Sequence, residues 1–244
     1  MRALIMAAGR GTRISRHIGG RPKCTLSIGN GLTLIEHTVE ELRAGGVNDI
    51  ALVVGYQAHV VRTLLAGKGV MFYHNPFFDV TNSIASAWFA MDFIRDDDIL
   101  VLNGDVFFEG DLLDMMLATT VNPVLFSDET RKDEADYKLC YEDGRLLKYG
   151  KELQGEDITG EYIGIARINA DLLPVFRQRL NELINSQEHA LWWEDVLYSL
   201  SQEMTINVKD VGGLFWAEVD YIEDYNRIMK HRNLASDDHD MSST

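Results

Sequence analysis

The sequence predicts a doubly wound α/β fold on a mixed, mainly parallel sheet, with a small β-rich insertion in its second half. Three observations predict it. From the first residues to about Thr130, apolar runs of strand length alternate with segments of helical period. The first apolar run ends in a turn of small residues, "MAAGRG", where the chain can pass close to a ligand. After Thr130 the alternation gives way to consecutive strand-like runs, two of them flanking Asp143-Gly144, a strong hairpin signal.

The elements follow in order. Residues 4–6 form a short buried strand, and "TLIEHTVEELRAGG" is a helix stopped by Gly45-Gly46. "DIALVVG" and "GVMFYHNP" are strands with the helix "QAHVVRTLLAG" between them. "NSIASAWFAMDFI" is a helix whose start Thr81, Asn82 or Ser83 can cap. "DILVLNGD" is a strand ending on an acid, followed by the helix "DLLDMMLAT" and the strand "NPVLFS". The second half reads as the hairpin "YKLCYEDGRLLKYGK", the strand "GEYIGIARI", and the helices "DLLPVFRQRLNELI" and "WWEDVLYSLSQ". The strands "TINVKDV" and "GLFWAEVD" and a closing helix over 221–232 complete it.

With 244 residues, 46% of them hydrophobic, the chain can bury one sizeable core, read as a single domain over 1–234. The end, "ASDDHDMSST" (235–244), is polar and acidic without apolar period and reads as a disordered tail. A formal net charge of −15 argues against nucleic acid and anionic membranes as partners. No apolar run approaches the ~20 residues that cross a bilayer, and the first residues lack the layout of a cleavable signal. Cys24 and Cys140 have no metal-like spacing. Reduced thiols in a cytoplasmic protein are the expectation.

Against that acidity the cluster Arg10, Arg13, Arg16, Arg21 and Lys23 stands out. A dinucleotide fingerprint would need a third glycine where Ile14 stands, and a P-loop would need Gly, not Pro22, before Lys23. What remains is a glycine loop whose N–H groups meet a nucleotide, with cations set along it for phosphates. Arg10, Arg16 and Arg21 are as readily solvated loop residues.

Ala7-Ala8-Gly9-Arg10-Gly11-Thr12-Arg13 followed by Pro22-Lys23 resembles the signature of the nucleoside-triphosphate transferases that make nucleotide-activated sugars and alcohols. The resemblance implies a Rossmann-like fold of the nucleotide-diphospho-sugar transferase type. It implies nucleotide contacts from Ala7, Ala8, Gly9, Gly11, Thr12 and Gly104, with Arg13 and Lys23 as catalytic cations on the phosphates.

Transfer from a triphosphate needs its charge neutralised, commonly by Mg²⁺ on one or two carboxylates. "ILVLNGD" sets Asp105 at the carboxyl end of a strand, the edge where α/β sheets bind ligands. The resemblance makes Asp105 a Mg²⁺ ligand, and the late "WAEVDYIED" makes Asp220 the second. Glu218 is a reserve, Asp224 reads as support for the closing helix, and Asp220 could itself cap that helix. An ionised acceptor phosphate is already a nucleophile, so in-line attack on the α-phosphorus with loss of pyrophosphate is the implied reaction.

"NPFFDVTNSIASAW" resembles the branch that activates phosphocholine and aminoalkylphosphonates with CTP, which makes Asn82, Ser83 and Ser86 candidates for base or ribose contacts. Aromatic faces beside acids hold quaternary ammonium groups. Tyr162, Trp192, Trp193 and Trp216, with Glu161 and Glu194, form the candidate acceptor set. Trp192 and Trp193 cannot both point inward from one short helix. "EDGRLLKYGKEL" also resembles enzymes of inositol and sugar phosphates, so that acceptor class stays open. A non-catalytic nucleotide-binding module is a further alternative, and a homodimer is compatible with any of these.

Overall fold

The computed structural model describes residues 1–11, 13–14 and 18–233. Thr12, Arg16 and the 235–244 tail therefore lie outside the described residues. Strand β1 (Arg2–Ala7) lies inside the sheet, parallel to β2 (Asp49–Val54) on one side and to β4 (Ile99–Asn103) on the other. β3 (Met71–His74) extends the sheet beyond β2, also in parallel. Past β4 comes β9 (Gly160–Ile168), antiparallel to β4 and to β6 (Val124–Asp128). β10 (Asn207–Asp210) runs parallel to β6. The hairpin of β7 (Lys138–Glu142) and β8 (Arg145–Tyr149) completes the sheet, in the order β3-β2-β1-β4-β9-β6-β10-β8-β7.

The alternation of β1 explains why the sheet is covered on both faces. Leu4 and Met6 join one core cluster, and Ala3, Ile5 and Ala7 join the other. The first cluster packs under α3 (Ser83–Phe89), α5 (Leu173–Asn185) and α6 (Asp195–Leu200). The second packs under α1 (Leu34–Ala44), α2 (Ala58–Leu64) and α4 (Gly110–Ala118). Thr33 caps α1 through a reciprocal pair with Glu36.

Three details differ from the expected elements. A three-residue strand, β5 (Val106–Phe108), follows Asp105 and pairs antiparallel with β11 (Trp216–Glu218) as a separate two-stranded sheet. β9 lies in the middle of the main sheet, so the hairpin extends that sheet at its edge. Helix α3 stops at Phe89, and residues 90–94 continue as turns that bury Phe93 and Ile94.

A third cluster positions the site. Ile14, Ile18, Leu26 and Ile28 from the first loop pack on Phe107, Ala217, Val219 and Ile228, the last on α7 (Ile222–His231). The glycine loop is thereby tied to the last strand and the closing helix. Among the described residues no helix is long and apolar enough to cross a membrane.

Candidate active site

Gly104 lets two strand ends meet. A Cβ there would lie 2.7 Å from the Met6 carbonyl and 3.0 Å from the Ala7 Cβ, and its N–H donates to the Met6 carbonyl at 2.9 Å. The turn after β4 thus runs against the end of β1 and holds Asp105 beside the glycine loop. Gly11 has φ +62, and a Cβ there would fall on the Lys23 side chain, so the loop wraps directly over that lysine.

The four charged groups expected from the sequence meet at this point. Lys23 Nζ is 2.7 Å from Asp105 Oδ2 and 2.5 Å from Asp220 Oδ1. Arg13 Nη1 donates to Asp220 Oδ2 at 2.6 Å, and its guanidinium lies 5.7 Å from the Tyr221 ring centroid. Burial works against the Lys23 charge, but Asp105 and Asp220 outweigh it and the pKa is raised. Burial likewise opposes ionisation of Asp220, yet Lys23 and Arg13 hold its pKa below the ordinary value. Glu218 goes the other way. Burial first, then Asp105 and Asp220, push its pKa well above the ordinary carboxylate value.

Asp220 does not cap the closing helix. Asp224 does, accepting from the N–H groups of Tyr221 at 2.9 Å and Asp220 at 3.1 Å. The Asp220 carboxylate is thereby left to the cations.

A cavity of about 230 Å³ opens on one side of this cluster. Ala7, Ala8, Gly9 and Gly11 line it from the glycine loop, Asn82, Ser83 and Ser86 from α3, and Gly104, Asp105 and Lys23 from its floor. Asn75, missed in the sequence, is buried there and donates to Ser86 Oγ at 3.0 Å and Thr81 Oγ1 at 3.2 Å. Asn82 Oδ1 caps α3 by accepting from the Ser83 N–H, and its Nδ2 donates to the Ala190 carbonyl. Ser83 Oγ accepts from the Trp193 N–H at 2.9 Å, which splices α3 to the tryptophan pair.

A second cavity, about 200 Å³, lies beyond. It is lined by Arg13 and Asp220 from the charged cluster, by Tyr137, Tyr162, Trp192 and Tyr198, and by Asp136, Lys151 and Glu194. Asn103, Trp192 and Glu218 line both cavities. Asn103 is a second residue the sequence reading missed; its only signal is its place at the end of β4. Its Oδ1 accepts from Trp193 Nε1 at 2.9 Å and its Nδ2 donates to Glu194 Oε1 at 3.3 Å. Burial pushes the Glu194 carboxyl up to about 8. Tyr137 and Tyr198 were also missed, since nothing in "DYKLC" or "VLYSL" separates them from core tyrosines.

Three of the expected acceptor residues do not reach this cavity. Trp193 is fully buried and spends its Nε1 on Asn103; only Trp192, 40% exposed, faces the pocket. Trp216 is buried with its Nε1 on Asp128 Oδ2 at 2.8 Å. Glu161 turns away from the cavity to accept from Arg131 Nε at 2.8 Å and the Asp136 N–H at 3.0 Å. Trp192 and Trp193 also precede α6, which begins at Asp195.

Among the described residues no group of three or more His, Cys, Asp or Glu forms a metal cluster. Asp105 and Asp220 do offer two hard oxygen donors converging on one cationic point. That donor set fits a hard divalent cation such as Mg²⁺.

Residues 3–162 match the model of the MobA-like NTP transferase domain. A CMP-5'-(3-aminopropyl)phosphonate synthase of Streptomyces rubellomurinus is 34% identical over 122 residues, spanning 48% of this chain but only 19% of that protein. A CTP:phosphoglutamine cytidylyltransferase of Campylobacter jejuni is 24% identical over 251 residues, covering 92% of this chain and 97% of its own. The solved CTP:phosphocholine cytidylyltransferase of Streptococcus pneumoniae shares the fold, with a TM-score of 0.76 at 21% identity over 95% of this chain and 98% of that one. The glycine loop, Lys23 and Asp105 stand on this matched stretch, Trp192 and Glu218 close the first cavity and Asp220 completes the charged cluster from beyond it, and the chain belongs to the family of MobA-like NTP transferase domains, as a nucleotidyltransferase.

Proposed function

We propose that this enzyme transfers CMP from CTP to the phosphate or phosphonate of a small amine-bearing acceptor and releases pyrophosphate. One observation carries the reading. The two cavities adjoin at Asn103, Trp192 and Glu218, and the charged cluster straddles the junction, with Lys23 and Asp105 on one side and Arg13 and Asp220 on the other. The first cavity, with a backbone glycine loop and small polar groups, suits a nucleotide. The second, with aromatic faces beside acids, suits a cationic end. The choice of CTP rests on the cytidylyltransferases among the relatives.

Asp105 and Asp220 would hold a Mg²⁺, which when bound neutralises triphosphate charge and so favours attack at the α-phosphorus. Lys23, which Asp105 and Asp220 hold at the junction, would reach the phosphates and stabilise charge that develops in the transition state. Arg13 and Lys151, both beside Asp136, face the acceptor's phosphate or phosphonate. An acceptor oxygen forms the new bond to the α-phosphorus as the bond to the bridging pyrophosphate oxygen breaks, and no covalent enzyme intermediate is required. Buried Cys24, its thiol pushed up to about 12 by burial, takes no part.

The test is a pyrophosphate-release screen crossing four nucleoside triphosphates with phosphocholine, phosphoethanolamine, 2-aminoethylphosphonate, inositol 1-phosphate and sugar 1-phosphates. Release with CTP and an amine-bearing acceptor is expected. Release only with polyol or sugar phosphates would keep the reaction and overturn the acceptor class.

A further inference from the structure

Glu161 on β9 sits where two strands part. It is paired on one side with Asp128, the last residue of β6, and on the other with Lys138, the first residue of β7. Loop 129–137 leaves the sheet at the first neighbour and returns at the second. The residue is only 7% exposed, and one carboxylate bonds both ends of the loop: Oε2 accepts from Arg131 Nε at 2.8 Å and Oε1 from the Asp136 N–H at 3.0 Å. Arg131 is held further by the Trp216 ring, whose centroid lies 5.7 Å away. Trp216 in turn is fixed by Asp128, which also accepts from Thr130 N–H at 2.9 Å and Oγ1 at 2.6 Å.

The returning end of the loop enters the acceptor cavity. Asp136 Oδ2 lies 2.6 Å from Lys151 Nζ and 3.8 Å from Arg13 Nη1. The Tyr137 ring meets Trp192 edge-on at 5.5 Å and stacks on Tyr198 at 5.8 Å. Glu161 lines neither cavity, yet it bonds the backbone N–H of one cavity residue and sits one residue from the next.

We propose that Glu161 is a positioning residue for the acceptor, clamping loop 129–137 so that Asp136 and Tyr137 keep their places against Lys151 and Trp192. The acceptor half of this statement rests on the reading of that cavity given above. Burial raises the Glu161 pKa, but the Asp136 N–H and the Arg131 guanidinium both favour its charged form. At 2.8 Å between Arg131 Nε and Glu161 Oε2, the contact has the geometry of a charge-assisted pair.

The variants are Glu161→Gln, which keeps an oxygen for the Asp136 N–H and loses the charge opposite Arg131, and Glu161→Ala, which loses both. The first readout is amide hydrogen exchange on the full chain without substrate. Exchange over 131–137 is expected to quicken by about tenfold in Glu161→Ala, the size set by one or two lost hydrogen bonds. Exchange in β1 and β4 stays unchanged. The second readout is kinetic: acceptor KM rises by about tenfold while CTP KM and kcat stay within about twofold. If Glu161→Ala does not fold, Glu161→Gln and Arg131→Met carry both readouts with the same direction. Unchanged exchange over 131–137 would overturn the clamp, as would a CTP KM rising in step with that of the acceptor. Should no acceptor be turned over at all, the exchange result still decides the clamp, and the functional reading fails separately.

Discussion

Lys23 Nζ reaches Asp220 Oδ1 at 2.5 Å across 197 positions of sequence, and the same ammonium holds Asp105. Ion pairing in a buried site makes each partner dependent on the others. Lys23→Met is expected to cut turnover by about 10²–10³-fold, the range for removing one charge-stabilising donor. It should also lower the melting temperature, because Asp105 and Asp220 lose their shared counterion. Pyrophosphate release and a thermal melt of the same sample check both.

Much of this site was legible because its signals are local. Gly104-Asp105 follows a buried run, and Arg13 and Lys23 follow a glycine turn whose resemblance to a known signature, carried by neighbours in sequence, singled them out. The doubly wound fold was legible for the same reason, since β1 alternates Leu4 and Met6 against Ala3, Ile5 and Ala7. What could not be read depends on register across the sheet. Trp193, Trp216 and Glu161 resemble Trp192 and Glu194 in composition and neighbourhood. Which of them faces a cavity is decided by partners far away, Asn103, Asp128 and Arg131. The short β5 was invisible because three residues carry no period, and it exists through its pairing with β11.

The adjacent tryptophans should respond differently. Trp192→Ala removes an exposed face shared by the two cavities and is expected to raise the acceptor KM by about tenfold, consistent with a cation–π contact of ~1 kcal/mol or more. Its melting temperature should barely move. Trp193→Ala empties a fully buried site and is expected to destabilise by about 3–5 kcal/mol. Denaturant melts and acceptor titrations separate the two.

Glu194 sets a pH signature. Burial raises its folded pKa from the ordinary 4.5 to about 8, so the folded state holds the proton more tightly than the unfolded one. The stabilisation this gives is full below the unfolded pKa and is lost as pH rises through the folded pKa. Glu194→Gln keeps the neutral shape and removes that loss. Relative to the parent, it should gain stability as pH rises from about 4.5 to about 8, by on the order of 10 °C in melting temperature. A difference between the two proteins that does not change with pH would contradict the assignment.

Gly104→Ala is expected to abolish activity while leaving much of the fold intact. A methyl group there is 2.7 Å from the Met6 carbonyl, so the ends of β1 and β4 must part and Asp105 must move from Lys23. Nucleotide titration by isothermal calorimetry should show weakened binding by at least about tenfold.

The most direct measurement follows the phosphorus. ³¹P NMR of the enzyme with CTP, Mg²⁺ and 2-aminoethylphosphonate or phosphocholine should show pyrophosphate and a cytidylylated acceptor growing in equal amounts. Neither should appear with Asp105→Asn. Release of inorganic phosphate and CDP instead, or no consumption of any nucleoside triphosphate with any of the acceptors, would contradict transfer at the α-phosphorus.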